Sequence, residues 1–305
     1  MANISLLGCG TWGSALAQVV AENGHRVTAW HYKKDVLDIR ALSRKHPRLK
    51  GLIFHDNIHF EHDLAASLTK AQCIIVAVPS HAVRKIMAQS KPFIPKKAVI
   101  VNVAKGIEND TLKTMSEVIA ISLNHDMNKI VSLYGPSHAE EVVANYPTTL
   151  VSASSSQKSA SYVQKIFSSD TLRVYRNHDI RGVELGGSLK NVIAIAAGIC
   201  DGIGFGDNTK AALLTRGIYE ITQLGIAMGA IAETFSGLSG VGDLIVTCYS
   251  RHSRNRFVGE EIGKGKPLDL ILEKMEMVAE GVKTTKSVRD LSIKYDVEMP
   301  ISEGV

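Results

Sequence analysis

Several common classes are excluded by what this sequence lacks. Its 305 residues include four cysteines, Cys9, Cys73, Cys200 and Cys248, and no two form a C-x-x-C pair. Such scatter argues against a zinc site and a disulfide framework and suits a reducing compartment, so no metal is expected. No block of Lys and Arg exists, and the formal net charge is a mild +5. Nucleic acid is therefore not an expected partner, whereas small anionic ligands fit that balance. No basic segment leads the chain, and Asn3-Ile4-Ser5-Leu6-Leu7 is too short for a signal peptide. The longest apolar run, around residues 192–200, falls far short of a membrane span. A cytoplasmic protein without membrane insertion is expected. Ser80 and His81 are neighbours, but no G-x-S-x-G elbow supports a hydrolase, and Ser80 reads better as a helix cap.

With 45% apolar and 21% charged residues, the composition is that of an ordinary globular protein. The length suggests about two domains and a sizeable core.

The strongest motif comes first in the chain. A short apolar run, Ile4-Ser5-Leu6-Leu7, leads into Gly8-Cys9-Gly10-Thr11-Trp12-Gly13, and a helical pattern follows from Ser14. Strand, G-x-G-x-x-G and helix in this order form the fingerprint of a dinucleotide site. Gly8 would make the tight turn, Gly10 would let the backbone approach a pyrophosphate, and Gly13 would let helix and strand pack closely. The helix N-terminus would then face the phosphates. The next strand, Val27-Thr28-Ala29-Trp30, is followed by His31-Tyr32-Lys33-Lys34. A protein selective for NAD usually carries a carboxylate here, so this cationic stretch favours NADP.

Apolar, β-branched runs at residues 73–78, 98–102 and 130–134 read as strands buried in a parallel sheet. Lys105 falls just past the end of one of them, in the place where open α/β sheets bind ligands. Gly135-Pro136 reads as a turn and Ser137 as a cap, with Glu140 and Glu141 as ordinary first-turn acids. A strand at 148–151, a helix at 159–167 and a last strand at 172–175 complete this half.

From about residue 180 strand signals vanish. The expected fold is an α/β domain of Rossmann type over residues 1–180, followed by an all-helical domain over 181–305. The first helix of the second half contains Gly186-Gly187-Ser188-Leu189-Lys190-Asn191. Helical glycine costs about 1 kcal/mol against alanine, which suggests a purpose. Gly187, Lys190, Asn191 and Ala194 share a face by their spacing, so a ligand could lie there with Lys190 pointing in. Residues 198–208 read as a break, and 209–228 as a buried helix. Asp243 can cap the next helix or stand beside Lys190. Residues 250–256, Ser-Arg-His-Ser-Arg-Asn-Arg, form a cationic loop suited to a phosphate or merely to solvent.

Taken together, the chain resembles the NAD(P)-dependent glycerol-3-phosphate dehydrogenases of the bacterial biosynthetic type. The resemblance rests on residues 8–13, Ala77-Val78-Pro79-Ser80-His81, Ala104-Lys105-Gly106, Gly135-Pro136-Ser137-His138-Ala139, Leu189-Lys190-Asn191, residues 240–247, Ser253-Arg254-Asn255 and Glu280-Gly281-Val282. These run in family order over nearly the whole chain. Two departures stand out. His138 occupies a position where the family often has an aromatic residue. The chain stops at Val305 where the family continues with helix, so either a C-terminal piece is missing or the tail is short.

The resemblance implies interconversion of dihydroxyacetone phosphate and sn-glycerol 3-phosphate with NAD(P)H, supplying phospholipid synthesis. It implies Lys190 as the proton donor. Lys105, Gly135, Ser137, Asn191, Asp243, Thr247, Ser253, Arg254 and Asn255 would serve the substrate. Gly8, Gly10, Thr11, Trp12, Gly13, His31, Lys105, Ala139, Arg254, Val278 and Glu280 would serve the cofactor. A homodimer is expected. The rival readings are a hydroxyacid or phosphogluconate-type dehydrogenase, which has no need of the Asp243 and Ser253-Arg254-Asn255 set, and a non-catalytic dinucleotide sensor, which has no need of Lys190-Asn191.

Overall fold

A computed structural model describes residues 1–275 and 277–305. The chain forms two compact units. The first comprises Met1–Ala104 and Met115–Ile180, the second Lys105–Thr114 and Arg181–Val305. The expected division at residue 180 therefore misses one segment: 105–114 folds with the helices, although it lies between strands in the sequence.

Unit 1 is built on an eight-stranded sheet. Its strands are β1 (Asn3–Leu7), β2 (Arg26–Trp30), β3 (Ile58–Glu61), β4 (Cys73–Val76), β5 (Val99–Asn102), β6 (Ile130–Tyr134), β7 (Thr148–Ala153) and β8 (Leu172–Asn177). The order is β3-β2-β1-β4-β5-β6-β7-β8. Neighbours pair in parallel throughout except β6 with β7. Alternate side chains feed opposite cores, as the strand period requires. Leu6, Ile75 and Val101 join one cluster, whereas Leu7, Ile74 and Ile100 join the other. With a core on each face, these strands read as continuous apolar runs. β3 went unrecognised because it is an edge strand of four residues, Ile-His-Phe-Glu, with little apolar signal. The order in which strands are added to the sheet reverses between β1 and β4, which lie side by side and parallel, so the crevice at their carboxyl ends is the expected ligand position. Two helices flank β2 in sequence: α1 (Thr11–Glu22) and α2 (Lys34–Ser43).

Two expected caps are not caps. Ser80 lies inside a short 3-10 turn that Pro79 precedes, and the following helix starts after Ala82. His138, not Ser137, precedes the helix Ala139–Val143, and the Ser137 hydroxyl donates back to the Gly135 carbonyl at 3.1 Å.

Unit 2 is helical. Its long elements are α3 (Ile180–Ile203), α4 (Asp207–Ala227), α5 (Asp243–Tyr249), α6 (Arg254–Gly263) and α7 (Glu280–Tyr295), with a last turn α8 (Pro300–Gly304). α3 is the core helix. Leu185, Leu189, Val192 and Ile193 pack with Ile107, Leu214, Leu224, Phe235 and Leu291. The break expected within 198–208 falls toward the end of that stretch, since α3 runs on to Ile203 and α4 opens at Asp207. Gly198 and Gly259 explain this. A Cβ on either would collide with the backbone of the other helix, at the Arg256 or Ile195 carbonyl, so glycine here serves helix crossing rather than chain reversal. α3 is also long and apolar enough to span a membrane, contrary to what its longest unbroken apolar run implied. Yet 89% of its most apolar window is buried inside the protein, so packing accounts for its composition.

Candidate active site

The glycine turn behaves as its spacing requires. Gly8 has φ +106°, which disfavours any side chain, and its N–H donates to the Trp30 carbonyl at 3.0 Å. A Cβ on Gly13 would collide with the Gly8 carbonyl oxygen. The cap position of α1 is Gly10, with no side chain capping the helix, and the space where its Cβ would stand is open. Unclaimed first-turn amides beside open space are what a phosphate needs. Thr11 and Trp12 form the head of this helix. His31 follows β2 and stacks on Tyr32 at 4.7 Å between ring centres, with the Lys33 ammonium 5.7 Å from the Tyr32 ring. Burial, aided by the charges of Arg40 and Lys33, lowers the His31 pKa below its ordinary value. Gly135, Ser137 and Ala139 also belong to this unit, at the end of β6.

A different kind of site lies inside unit 2. Lys190, on α3, is 4% exposed. Its ammonium donates to Asp243 Oδ1, to Thr247 Oγ1 at 2.5 Å and to the Asp243 carbonyl at 3.3 Å. Thr247 in turn donates to that carbonyl at 2.6 Å. Asp243 is not the cap of α5, which is Gly242. It stands in the first turn, and its second oxygen takes the Lys105 ammonium at 2.6 Å. The helix-capping reading thus gives way to a carboxylate shared by two lysines. A π-helical turn over Leu238–Gly242 brings the chain to Asp243. Such turns widen the helix and recur at functional sites.

Two lysines, Lys105 and Lys190, share the buried Asp243 carboxylate. Burial lowers the Lys190 pKa to about 7; Asp243 opposes this and Lys105 reinforces it. Lysine so placed can both give and take a proton near neutrality.

Beside this cluster runs a chain of amides. Asn255 Nδ2 donates to Asn191 Oδ1 at 2.9 Å, and the Gly281 N–H donates to Asn255 Oδ1 at 2.9 Å. α3, α6 and α7 are joined by it. Ser253 caps α6 and accepts from the Arg256 N–H. Arg254 donates to the Val278 carbonyl, and Glu280 opens α7. The structure therefore draws Lys105, Lys190, Asn191, Asp243, Thr247 and Asn255 together within unit 2. It does not support Lys190 as a solvent-facing residue.

Some groups escaped sequence reasoning. Asn102 Nδ2 donates to the Tyr134 hydroxyl at 3.0 Å, and Asn102 Oδ1 accepts the Ala104 N–H at 3.1 Å. These bonds brace the backbone just before Lys105. An asparagine closing an otherwise apolar strand was the available signal. Asp201 binds Lys210 and also Arg256 at 2.6 Å, linking α3, α4 and α6. No spacing rule announces it. Arg40 and His46 are buried near Cys9.

A mostly parallel doubly wound sheet with a bare glycine turn, on a chain that also carries a buried lysine of near-neutral pKa, belongs to the dinucleotide-dependent dehydrogenases. Comparison with known proteins narrows this. Residues 3–160 match the model of the NAD-dependent glycerol-3-phosphate dehydrogenase N-terminus, and residues 179–305 that of the C-terminus. The chain belongs to the NAD-dependent glycerol-3-phosphate dehydrogenase family. It is 50% identical to glycerol-3-phosphate dehydrogenase (NAD(P)+) of Bacillus subtilis strain 168, over 100% of this chain and 89% of the relative. It is 51% identical to the protein of that name from Prosthecochloris aestuarii, over 99% of this chain and 92% of the relative. Among solved structures, glycerol-3-phosphate dehydrogenase from Coxiella burnetii superposes with a TM-score of 0.93 at 36% identity, covering 99% of this chain and 92% of that one.

Proposed function

We propose that the chain interconverts dihydroxyacetone phosphate and sn-glycerol 3-phosphate with NAD or NADP, and that Lys190 is its acid and base. The buried Lys190–Asp243–Thr247 cluster carries this reading. Bound dinucleotide supplies or accepts the hydride; the remaining work falls to side chains. In reduction, a hydride adds to the C2 carbonyl carbon while its oxygen takes a proton from Lys190 Nζ. In oxidation, the neutral amine takes that proton back. All three ammonium hydrogens of Lys190 have acceptors within unit 2, the longest bond being 3.3 Å to the Asp243 carbonyl. A substrate oxygen displaces this weakest one. Asp243 and Thr247 aim the amine, Lys105 adds positive charge, and Asn191 is held by Asn255.

Arg254 and Asn255 hold the substrate phosphate, with Gly135, Ser137 and Ser253 further substrate positions. The exposed Arg254 guanidinium suits a phosphate because its fork matches two oxygens. The glycine turn of residues 8–13, with Thr11, Trp12, His31 and Ala139, cradles the dinucleotide, and Lys105, Arg254, Val278 and Glu280 are the further cofactor positions that the family resemblance implies. The cations after β2 favour NADP. Such an enzyme would work in the cytoplasm as a homodimer and feed phospholipid synthesis.

The test is a two-by-two assay, with NADPH and NADH each offered dihydroxyacetone phosphate and a 3-hydroxy acid's keto form. Oxidation of NADPH by dihydroxyacetone phosphate alone is the expected result. Preference for the keto acid would transfer the chain's activity to the hydroxyacid dehydrogenases. Equal kcat/KM for the two cofactors would remove the NADP preference and leave the reaction intact.

A further inference from the structure

We propose that Arg40 is a cofactor-specificity residue, a buried guanidinium behind the glycine turn that selects a dinucleotide bearing a 2′-phosphate on its adenosine ribose. This rests on the reading that residues 8–13 hold a dinucleotide, and it adds a residue that the motif does not contain.

The placement of Arg40 comes from three hydrogen bonds. The Trp30 carbonyl, at the end of β2, accepts the Gly8 N–H at 3.0 Å and the Cys9 thiol at 3.3 Å. The next carbonyl of the turn, that of Cys9, accepts Arg40 Nη1. Arg40 reaches it from α2. The guanidinium therefore stands at the corner between the glycine turn and the end of β2. In doubly wound folds this corner receives the adenosine ribose.

Its state there is unusual. Arg40 is 7% exposed, and its Nε has no hydrogen-bond partner. Among the described residues no carboxylate pairs with it. Its other neighbour is His46, whose Nε2 lies 3.4 Å from Arg40 Nη2. His46 offers no negative charge: its Nδ1 accepts the Arg48 and Leu49 N–H groups at 3.1 Å each, which requires an unprotonated nitrogen. A buried cation without an anion is costly unless one arrives with the ligand. The surroundings raise that demand. Arg48 and Lys33 add positive charge, while Asp38 on the same helix is engaged by Lys34 at 2.7 Å. Asp35, the other carboxylate of that helix, bears on His31. A ribose 2′-hydroxyl gains little from such a field, and it lacks the carboxylate acceptor that an NAD site provides after this strand. A 2′-phosphate brings close to two negative charges.

Equilibrium binding to the full-length protein, followed by calorimetry without substrate, tests this. The wild type should bind adenosine 2′,5′-bisphosphate about tenfold or more tighter than 5′-AMP. Arg40→Met should weaken NADPH binding about tenfold or more while changing NADH binding less than about twofold, with Arg40→Lys between the two. Equal weakening toward NADPH and NADH would make Arg40 a mere brace of the turn and overturn the proposal. So would equal wild-type affinity for the two adenosine nucleotides, a result that needs no variant to fold. If the wild type binds neither dinucleotide, the cofactor reading itself fails, which is a different result from either of these.

Discussion

The two candidate regions of this chain are built by opposite means. The glycine turn works by leaving things out. Gly8, Gly10 and Gly13 clear space, and what remains is backbone N–H at the head of α1. The lysine cluster works by crowding charge. Lys190, Lys105 and Asp243 share a site in which Lys190 and Asp243 are almost wholly buried. The first region needs six consecutive residues, whereas the second needs partners 138 and 53 positions apart. Hence the first should be sensitive to volume and indifferent to pH, and the second the reverse.

The largest effect that would sharpen this contrast is at Lys190. Lys190→Ala should lower kcat about 10³-fold or more while leaving dinucleotide affinity unchanged in calorimetry. Full turnover in that variant would end the proposed mechanism. Next comes pH. Since Lys190 must be neutral to accept a proton, glycerol 3-phosphate oxidation should rise as pH climbs through about 7. Reduction needs the ammonium and should fall through the same value. Asp243 favours the charged form, so Asp243→Asn should move both limbs below pH 7 and lower kcat about 100-fold. Limbs that stay in place would show that Asp243 does not set the lysine's charge.

A smaller effect is expected at the turn. Gly13→Ala should cost about 1–3 kcal/mol of stability and weaken both dinucleotides, because α1 must move off Gly8 and Ala77. Its pH profile at saturating cofactor should match the wild type, and a shifted profile would break the contrast between the two regions. The smallest effect involves His46, whose folded pKa is lowered from 6.5 to about 4 by burial and by Arg40 and Arg48. Unfolded chains take up the proton first as pH falls, so stability is lost between about pH 6.5 and 4. Urea denaturation at pH 7 and pH 5 should show the wild type losing on the order of 1 kcal/mol more than His46→Asn.

Much of this could be read in advance, and particular residues show why. Cys73–Val76 declares a buried strand because both faces are apolar, and residues 8–13 declare a turn because glycine spacing and flanking periodicity coincide. Lys190 stood out through the glycines beside it. The reading faltered where a residue's meaning depends on a distant partner. Gly198 marks a chain break in isolation, yet it is a crossing point once Arg256 lies against it. Lys105 follows a sheet strand, but its segment folds with the helical unit, where Ile107 joins the apolar core and Asn109 bonds to Ser287 at 2.6 Å. Arg40 looks like one more exposed helical cation until Cys9 is placed beside it.

The sequence by itself determined the strand and helix periods, the change of class near residue 180 and the glycine turn, because each depends on neighbours within a few positions and on local sterics. Only the tertiary structure decided which charged groups share a dry site: Lys105 and Lys190 on Asp243, and Arg40 with no carboxylate among the described residues. Desolvation and Coulomb energy depend on distance in space and on the absence of water, and neither is written in the order of residues.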